Sequence, residues 1–523
     1  MAIIFVAPIL IVLTSLTGSY SDNWYHLIDY VLVDYVFTSL LLVAGVSVLV
    51  FLLGTSTAWI VTNYNFAGKK VFEWALILPL AIPPYILAYT FTGLFDPYGD
   101  ANNLLRDIFN LERSFVFFPS VRNVSGAVIV FAFTLYPYVY LVTRSAFLNQ
   151  SKSLKESGRL LGLSPSGVFF KIELPLVRPA LVGGLMLVIM ETLSDFGAVD
   201  HFAIQTFTTG IFKTWYGLYD LDTAMQLSSI LLLVIGVFYF IERGTRKTSS
   251  YTNDNSTFKI TKEIKLKGLE EKAAFLLCFI PLFVGFILPI VELLIWAMET
   301  NVDVFNKTFL SSSLNTMVLA ISSGFICATL ALIINFSVRF NASDILARLS
   351  SFLSIGYAIP GLVLAVGIVK LLVYLDKSFF SDYEFAITGS LAGLILAYTI
   401  KAYALANSSI EAGYNRISIS IDNSARLLGS SGWTLLGKIH FPLMKASFLT
   451  SVLLVTSEVV KELPATLILR PFNFDTLAVT TYIYAAEERM HQAATPAIAI
   501  VLIGLIPLVF LTKMIRSSRP NYE

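Results

Sequence analysis

Glu191 and Asp195 stand four residues apart in a run that is otherwise apolar, and far along the chain Glu458, Lys461 and Glu462 occupy a matching run. At i and i+4 two carboxylates share one helical face. About 12 to 16 residues beyond Pro179, a helix would carry them roughly 18 to 24 Å from that end. Ionisable groups so deep in apolar surroundings are costly and ordinarily face a bundle interior or an aqueous cavity. Two roles are open to them. They line a path that passes a cation, or they are structural, with Lys461 paired to a carboxylate and the others capping a broken helix.

Other candidate groups point away from catalysis. GWTLLGKI (Gly432 to Ile439) nearly spells the phosphate-binding pattern GxxxxGK followed by Ser or Thr, but Ile439 has no hydroxyl to offer magnesium and no strand is expected before it. HExxH and GxSxG do not occur. His26, His201 and His491 are scattered near one set of span ends, without the paired spacing of ligands, so no metal site is expected. Cys278 and Cys327 lie singly in apolar runs and read as small buried thiols. The chain is expected not to be an enzyme.

The elements that hold these residues are membrane spans. Of the 523 residues 56% are hydrophobic, with mean hydropathy +0.75, and runs of about 20 apolar residues recur, the length that crosses a bilayer as helix. Windows bounded by charge, Pro or Gly fall near 2–18, 36–62, 71–95, 123–147, 179–200 and 223–242, then near 273–298, 314–338, 348–375, 385–408, 446–468 and 491–513. The first run lacks a basic n-region and a small-residue cleavage site, so it reads as a span rather than a signal peptide. Those near 71–95 and 348–375 are long and broken by Pro and Gly, which predicts kinks. The expected fold is an all-α integral membrane protein of about 12 transmembrane helices. Residues 1–242 form a first half with its core at about 36–242, 243–272 a polar linker, and 273–523 a second half with its core at about 312–513. The excess of Lys and Arg in alternate loops places both termini and the linker in the cytoplasm. Trp24, Tyr25, Trp215 and Tyr216 read as an outer aromatic belt. The net charge of +1 gives no reason to expect a nucleic-acid partner; membrane lipid is the expected surround.

Two polar loops interrupt this pattern. ESGRLLGLSPSGVFFKIELP (Glu156 to Pro175) and NSARLLGSSGWTLLGKIHFP (Asn423 to Pro442) share RLLG, beginning at Arg159 and Arg426, and the same displacement relates Glu191 to Glu458 and Asp195 to Glu462. An even number of spans separates the loops, so both lie on one face, and the halves are parallel repeats about an axis along the membrane normal. LAIPPYILAY (Leu80 to Tyr89) against YAIPGLVLAV (Tyr357 to Val366) adds a further correspondence. Each loop reads as two short helices with a bend at Gly162 or Gly429 and a proline, Pro175 or Pro442, leading into the next span. As basic amphipathic segments they could rest on lipid headgroups, but identical spacing in two copies points to a two-site docking surface.

Both loops resemble the EAA loop of ABC importer permeases, whose pattern is E-A-A, three residues, G, nine residues, I-x-L-P. The first runs Glu156-Ser157-Gly158, Gly162, Ile172-Glu173-Leu174-Pro175; the second runs Asn423-Ser424-Ala425, Gly429, Ile439-His440-Phe441-Pro442. Asn423 replaces the acidic residue, with Asp422 as the neighbouring carboxylate. The resemblance implies a type I ABC importer permease fold of two fused six-helix modules in a bacterial cytoplasmic (inner) membrane. It further implies that Glu156, Arg159, Gly162, Ile172 and Pro175, with Asn423, Arg426, Gly429, Ile439 and Pro442, form coupling helices against a cytoplasmic ATPase dimer. ATP and magnesium would belong to that separate subunit, no cofactor being bound here, and a periplasmic binding protein would deliver the cargo. DFGAVDHFAIQTFTTGIFKTWYG (Asp195 to Gly217) and KELPATLILRPFNFDTLAV (Lys461 to Val479) look like stretches of ferric-iron permeases, which implies iron transport. Thiamine, polyamine or phosphonate import is an alternative, and an ion-coupled secondary transporter is another, against which the twin loops count.

Overall fold

The structure, a computed structural model, describes residues 2–150, 152–249, 264–299, 306–341, 344–379, 386–430 and 432–517. Of the expected 243–272 linker, residues 250–263 lie outside the described residues. Apart from one pair of two-residue parallel strands, Tyr64–Asn65 with Ile264–Lys265, the described secondary structure is helical. Eight described helices are long and apolar enough to cross a membrane, and two bent pairs raise the number to ten. The remaining two expected spans are the apolar helix Ile3–Thr17 and the helix Leu391–Tyr414. The latter is less apolar because it is an interior helix, with Ala397, Tyr403, Ala406 and Asn407 among its buried residues. The chain is thus an all-α membrane protein.

The two expected kinks are sharp breaks. Lys69–Ala81 meets Pro84–Phe109 at 91°, and Arg348–Ala358 meets Gly361–Phe379 at 111°. Both fall at the Ile-Pro steps, Ile82-Pro83 and Ile359-Pro360, where proline lacks an N–H for the ladder and forces its predecessor out of the helical region. Ile82 and Ile359 accordingly have ψ of 114° and 127°.

By packing, the chain divides into two compact units that interleave along the sequence. One comprises Leu27–Thr209 with Leu233–Thr300; the other comprises Met1–His26, Gly210–Leu232 and Asn301–Glu523. The core of the first unit is three mutually packed helices, Leu32–Asn63, Val124–Leu148 and Leu174–Ser194. The second has the same trio: Lys307–Asn341, Leu391–Tyr414 and Phe441–Lys461. Close approach depends on small residues, as in lipid-embedded bundles generally. A Cβ on Gly54 would stand 2.8 Å from the Val139 side chain, and one on Gly324 would stand 2.9 Å from the Val452 carbonyl oxygen. The repeat register extends to the caps: Asn123 Oδ1 accepts from the Gly126 N–H at 2.9 Å, and Ser390 Oγ, at the equivalent position of the second repeat, accepts from Ala392 at 3.3 Å.

Each unit also contains a helix from the other half of the sequence. Ala2–Thr14 packs on Gly361–Phe379, with the Pro8 carbonyl over Gly367 and Phe5 edge-on to Tyr403 at 5.6 Å. In the other unit Leu269–Leu282 packs on Leu32–Asn63, while Trp296 lies against Gly93 and donates from Nε1 to Asp100 Oδ2 at 2.9 Å. Trp24 departs from the expected belt: it is buried and donates from Nε1 to Gln226 Oε1. Tyr25 is exposed, as a belt residue should be.

Gly54→Val is expected to lower stability by about 1–3 kcal/mol, the ordinary cost of overpacking a tight contact, measured as a fall in thermal unfolding temperature of the detergent-solubilised protein. Gly437→Ala, at a position where nothing lies within 4 Å, is expected to leave that temperature unchanged.

Candidate functional site

The two loops have one backbone design. The first runs as helix Lys152–Leu160, a left-handed Gly162 (φ +83°), a short helix Pro165–Val168, and a π-helical turn Phe169–Glu173 that continues into Leu174–Ser194. The second repeats it: Ile419–Leu427, Gly429 (φ +81°), Gly432–Leu435, Leu436–His440, then Phe441–Lys461. The bend is closed by the paired bonds of a Schellman motif. Leu163 N donates to Gly158 O at 3.1 Å and Gly162 N to Arg159 O at 3.0 Å; Ser430 N donates to Ala425 O at 2.9 Å and Gly429 N to Arg426 O at 3.0 Å. The π turns follow from Pro175 and Pro442, which lack the N–H for an i→i−4 bond. The preceding residues bond five back instead, Leu174 N to Phe169 O and Phe441 N to Leu436 O. GWTLLGKI is part of this loop, between helices Ile419–Leu427 and Phe441–Lys461, a setting unlike that of a nucleotide-binding loop.

This geometry sorts the side chains identically in both copies. Glu156 and Asn423, Arg159 and Arg426, Gly162 and Gly429, and Pro175 and Pro442 are exposed, while Ile172 and Ile439 are half-buried. The leucines beside each bend are the most exposed apolar groups of their loops: Leu160 and Leu161 at 88% and 84%, Leu427 and Leu428 at 89% and 87%. They were not singled out among the site residues expected from sequence, although the repeated RLLG contains them. A glycine in the left-handed region turns the chain so that both leucines project.

Asp422 does not substitute at the surface for the missing carboxylate of Asn423. It points inward, taking Arg339 Nε at 2.7 Å and His440 Nε2 at 2.9 Å. Burial opposes its charge, but the bonds from Arg339 and His440 outweigh that cost and hold the carboxyl below the ordinary carboxylate value. In the first loop the register-equivalent position is Lys155, whose Nζ lies 2.5 Å from Glu173 Oε1 and 2.9 Å from Asn63 Oδ1. Trp59 Nε1 donates to the second Glu173 oxygen at 2.5 Å.

The intramembrane charges divide into caps and others. Asp195 ends Leu174–Ser194 and its Oδ1 accepts from the Ala198 N–H at 2.9 Å, capping the helix Gly197–His201. Glu462, its counterpart in the second repeat, ends Phe441–Lys461 and accepts from Ala465 N at 3.3 Å, next to the helix Pro464–Leu469. Both carboxylates therefore cap a broken span. Lys401 donates to the other Glu462 oxygen. It is a lone lysine in an apolar span and sequence reasoning passed it over; its register equivalent in the first half, Thr134, bonds its own helix at Val130 O, 2.8 Å. Glu458 and Lys461 approach to 3.7 Å. Glu191 lies one turn before Asp195 and is half-buried.

His201 is half-buried. Its Nε2 lies 2.9 Å from Thr92 Oγ1 and its ring meets Tyr89 edge-on at 4.6 Å.

Residues 50–242 match the family described as "Binding-protein-dependent transport system inner membrane component". That match lies within the first repeat of the chain. The chain is a multi-pass inner-membrane protein with the type I permease fold. Over 482 residues it is 24% identical to a Fe(3+)-transport system permease protein of Haemophilus influenzae, a match covering 91% of this chain and 88% of that one. It is 31% identical over 145 residues to a molybdenum transport system permease protein of the same organism, covering 28% and 60%. To a sulfate transport system permease protein of Escherichia coli it is 29% identical over 146 residues, covering 28% and 50%.

Proposed function

We propose that this permease moves ferric iron from a periplasmic binding protein into the cytoplasm, driven by an ATPase dimer on separate polypeptides. The observation that carries the cargo is the match to the Fe(3+)-transport permease protein through 91% of the chain, both repeats included. The molybdenum and sulfate permease relatives each match over 28% of it.

The ATP-driven mechanism rests on the paired loops. Both termini are cytoplasmic, and an even number of intervening spans then puts both loops in the cytoplasm. Each presents an exposed leucine pair beside an arginine, Arg159 or Arg426, and such contiguous apolar exposure outside the membrane marks a docking surface. Each subunit of the ATPase dimer takes one loop, with Glu156, Gly162, Ile172 and Pro175 shaping the first socket and Asn423, Gly429, Ile439 and Pro442 the second. ATP and magnesium are bound and turned over in the partner; this chain holds no cofactor. Displacement of the loops rocks the helices attached to them and exposes the central path alternately to each side.

Within the path, Glu191 and Glu458 are the groups assigned to the cargo, with Lys461 adjusting the charge at Glu458. Asp195 and Glu462, candidates for the same path, also cap broken spans. A carboxylate lining suits a hard cation.

Uptake of radiolabelled iron in a strain lacking this chain, with and without its restoration, tests the cargo; restoration without effect on iron uptake overturns it. Leu160→Asp together with Leu161→Asp is expected to reduce ATPase co-purification about tenfold, since removing buried apolar anchors of this size costs more than about 1.4 kcal/mol. Glu191→Gln with Glu458→Gln should cut iron uptake severalfold while ATPase association stays intact, and undiminished uptake would rule out their role in the path.

A further inference from the structure

The loop residues that face inward form two junctions at the same register and of opposite polarity. Lys155 pairs with Glu173, and at the equivalent positions of the second loop Asp422 pairs with His440. In the first junction the loop helix supplies the cation, Lys155, and the turn beginning the next span supplies the anion, Glu173, at 2.5 Å. In the second the loop helix supplies the anion, Asp422, and the turn supplies His440 at 2.9 Å. Each junction also takes in the end of an earlier core helix. Asn63, last residue of Leu32–Asn63, holds Lys155 at 2.9 Å. Arg339, near the end of Lys307–Asn341, holds Asp422 at 2.7 Å while its other nitrogens donate to Tyr414 O at 2.9 Å and Ile417 O at 2.8 Å. Lys155, Glu173, Asp422 and His440 are all buried, although their neighbours Glu156, Arg159, Asn423 and Arg426 are exposed.

A buried ion pair is rarely the cheapest way to hold a fold, because apolar residues of similar size often do as well. What it adds is directional, short-range attachment between named groups. Here the attachment joins three elements that must move together if a displaced loop is to tilt the core: the loop helix, the start of the following span and the end of an earlier one. We infer that Lys155–Glu173 and Asp422–Arg339–His440 are positioning clasps that transmit loop displacement to the membrane helices, with inverted polarity matching each loop helix to its own half. A lysine at position 422 would meet Arg339 and His440, so the two loop helices are not interchangeable.

The inference rests on the proposed ATP-driven transport, and the test separates the two. Purified permease is reconstituted with its ATPase and binding protein, and ATP hydrolysis and radiolabelled iron uptake are measured together. Lys155→Met is expected to keep ATPase association and hydrolysis within twofold of wild type while iron moved per ATP falls at least fivefold; Lys155→Arg is expected to keep the wild-type ratio. In a second variant, Lys155→Cys with Glu173→Cys, the ratio should be low until the thiols are joined by a short bifunctional thiol reagent, then return to within twofold of wild type. Cys278→Ser and Cys327→Ser are carried in this variant and its control, so that the introduced pair supplies the reacting thiols. This comparison is made within one folded protein, so it stands if Lys155→Met fails to fold. An unchanged ratio in Lys155→Met, or a ratio that bridging does not restore, overturns the clasp and leaves the transport proposal standing. A wild-type chain that recruits no ATPase overturns both.

Discussion

Hydrocarbon offers no water to a polar group, so every backbone donor, acceptor and charge inside the bilayer must be satisfied by the protein itself. Buried threonines meet this constraint locally: Thr90, Thr192, Thr399 and Thr481 each bond a carbonyl four residues back at 2.7–2.8 Å. Where a span breaks, a side chain takes over from the ladder, and Asp195 and Glu462 do so at equivalent places. Gly361 follows from the same requirement, because a Cβ there would stand 2.2 Å from Glu462 Oε1. The charges that look most like chemistry in the sequence are in part the cost of breaking helices inside a membrane.

Outside the membrane the constraint relaxes and the loops are built differently. Prolines move the hydrogen bonds from four back to five, left-handed glycines close the bend, and buried ion pairs tie the result to the core. That rigidity leaves the leucine pairs exposed with little freedom to fold back. The docking proposed for these loops would benefit from stiffness on the inner side and a fixed apolar surface on the outer side.

The repeat is a repeat of backbone more than of charge. Asn123 and Ser390 cap the same helix by different chemistry. Thr134 occupies the place of Lys401, so the Glu462 cap is an ion pair and the Asp195 cap has no lysine from that position. Lys155, a cation, stands where the second loop has the anion Asp422, and the carboxylate Glu173 stands where it has the imidazole of His440. The difference between Glu156 and Asn423 is one member of this series rather than an isolated loss, and Asp422, inward and bonded, does not repair it.

Much of this was legible in the sequence because it is local. Apolar length located the spans, Pro and Gly marked the two spans that bend, and the spacing around RLLG indicated the two-helix loop with its glycine bend. The same spacing pointed to the family and, through the stretches after each broken span, to iron. Which distant elements meet was fixed by packing alone. Packing put the first helix with the second half's core and Leu269–Leu282 with the first half's, turned Trp24 and Asp422 inward, and gave Lys401 its partner in Glu462. Hydrophobic periodicity records which face of a helix is apolar, not which other helix will cover it. That choice depends on the fit of small residues such as Gly54, Gly324 and Gly367 against particular neighbours and on where each buried charge can find its opposite, and both are settled only when the whole bundle packs.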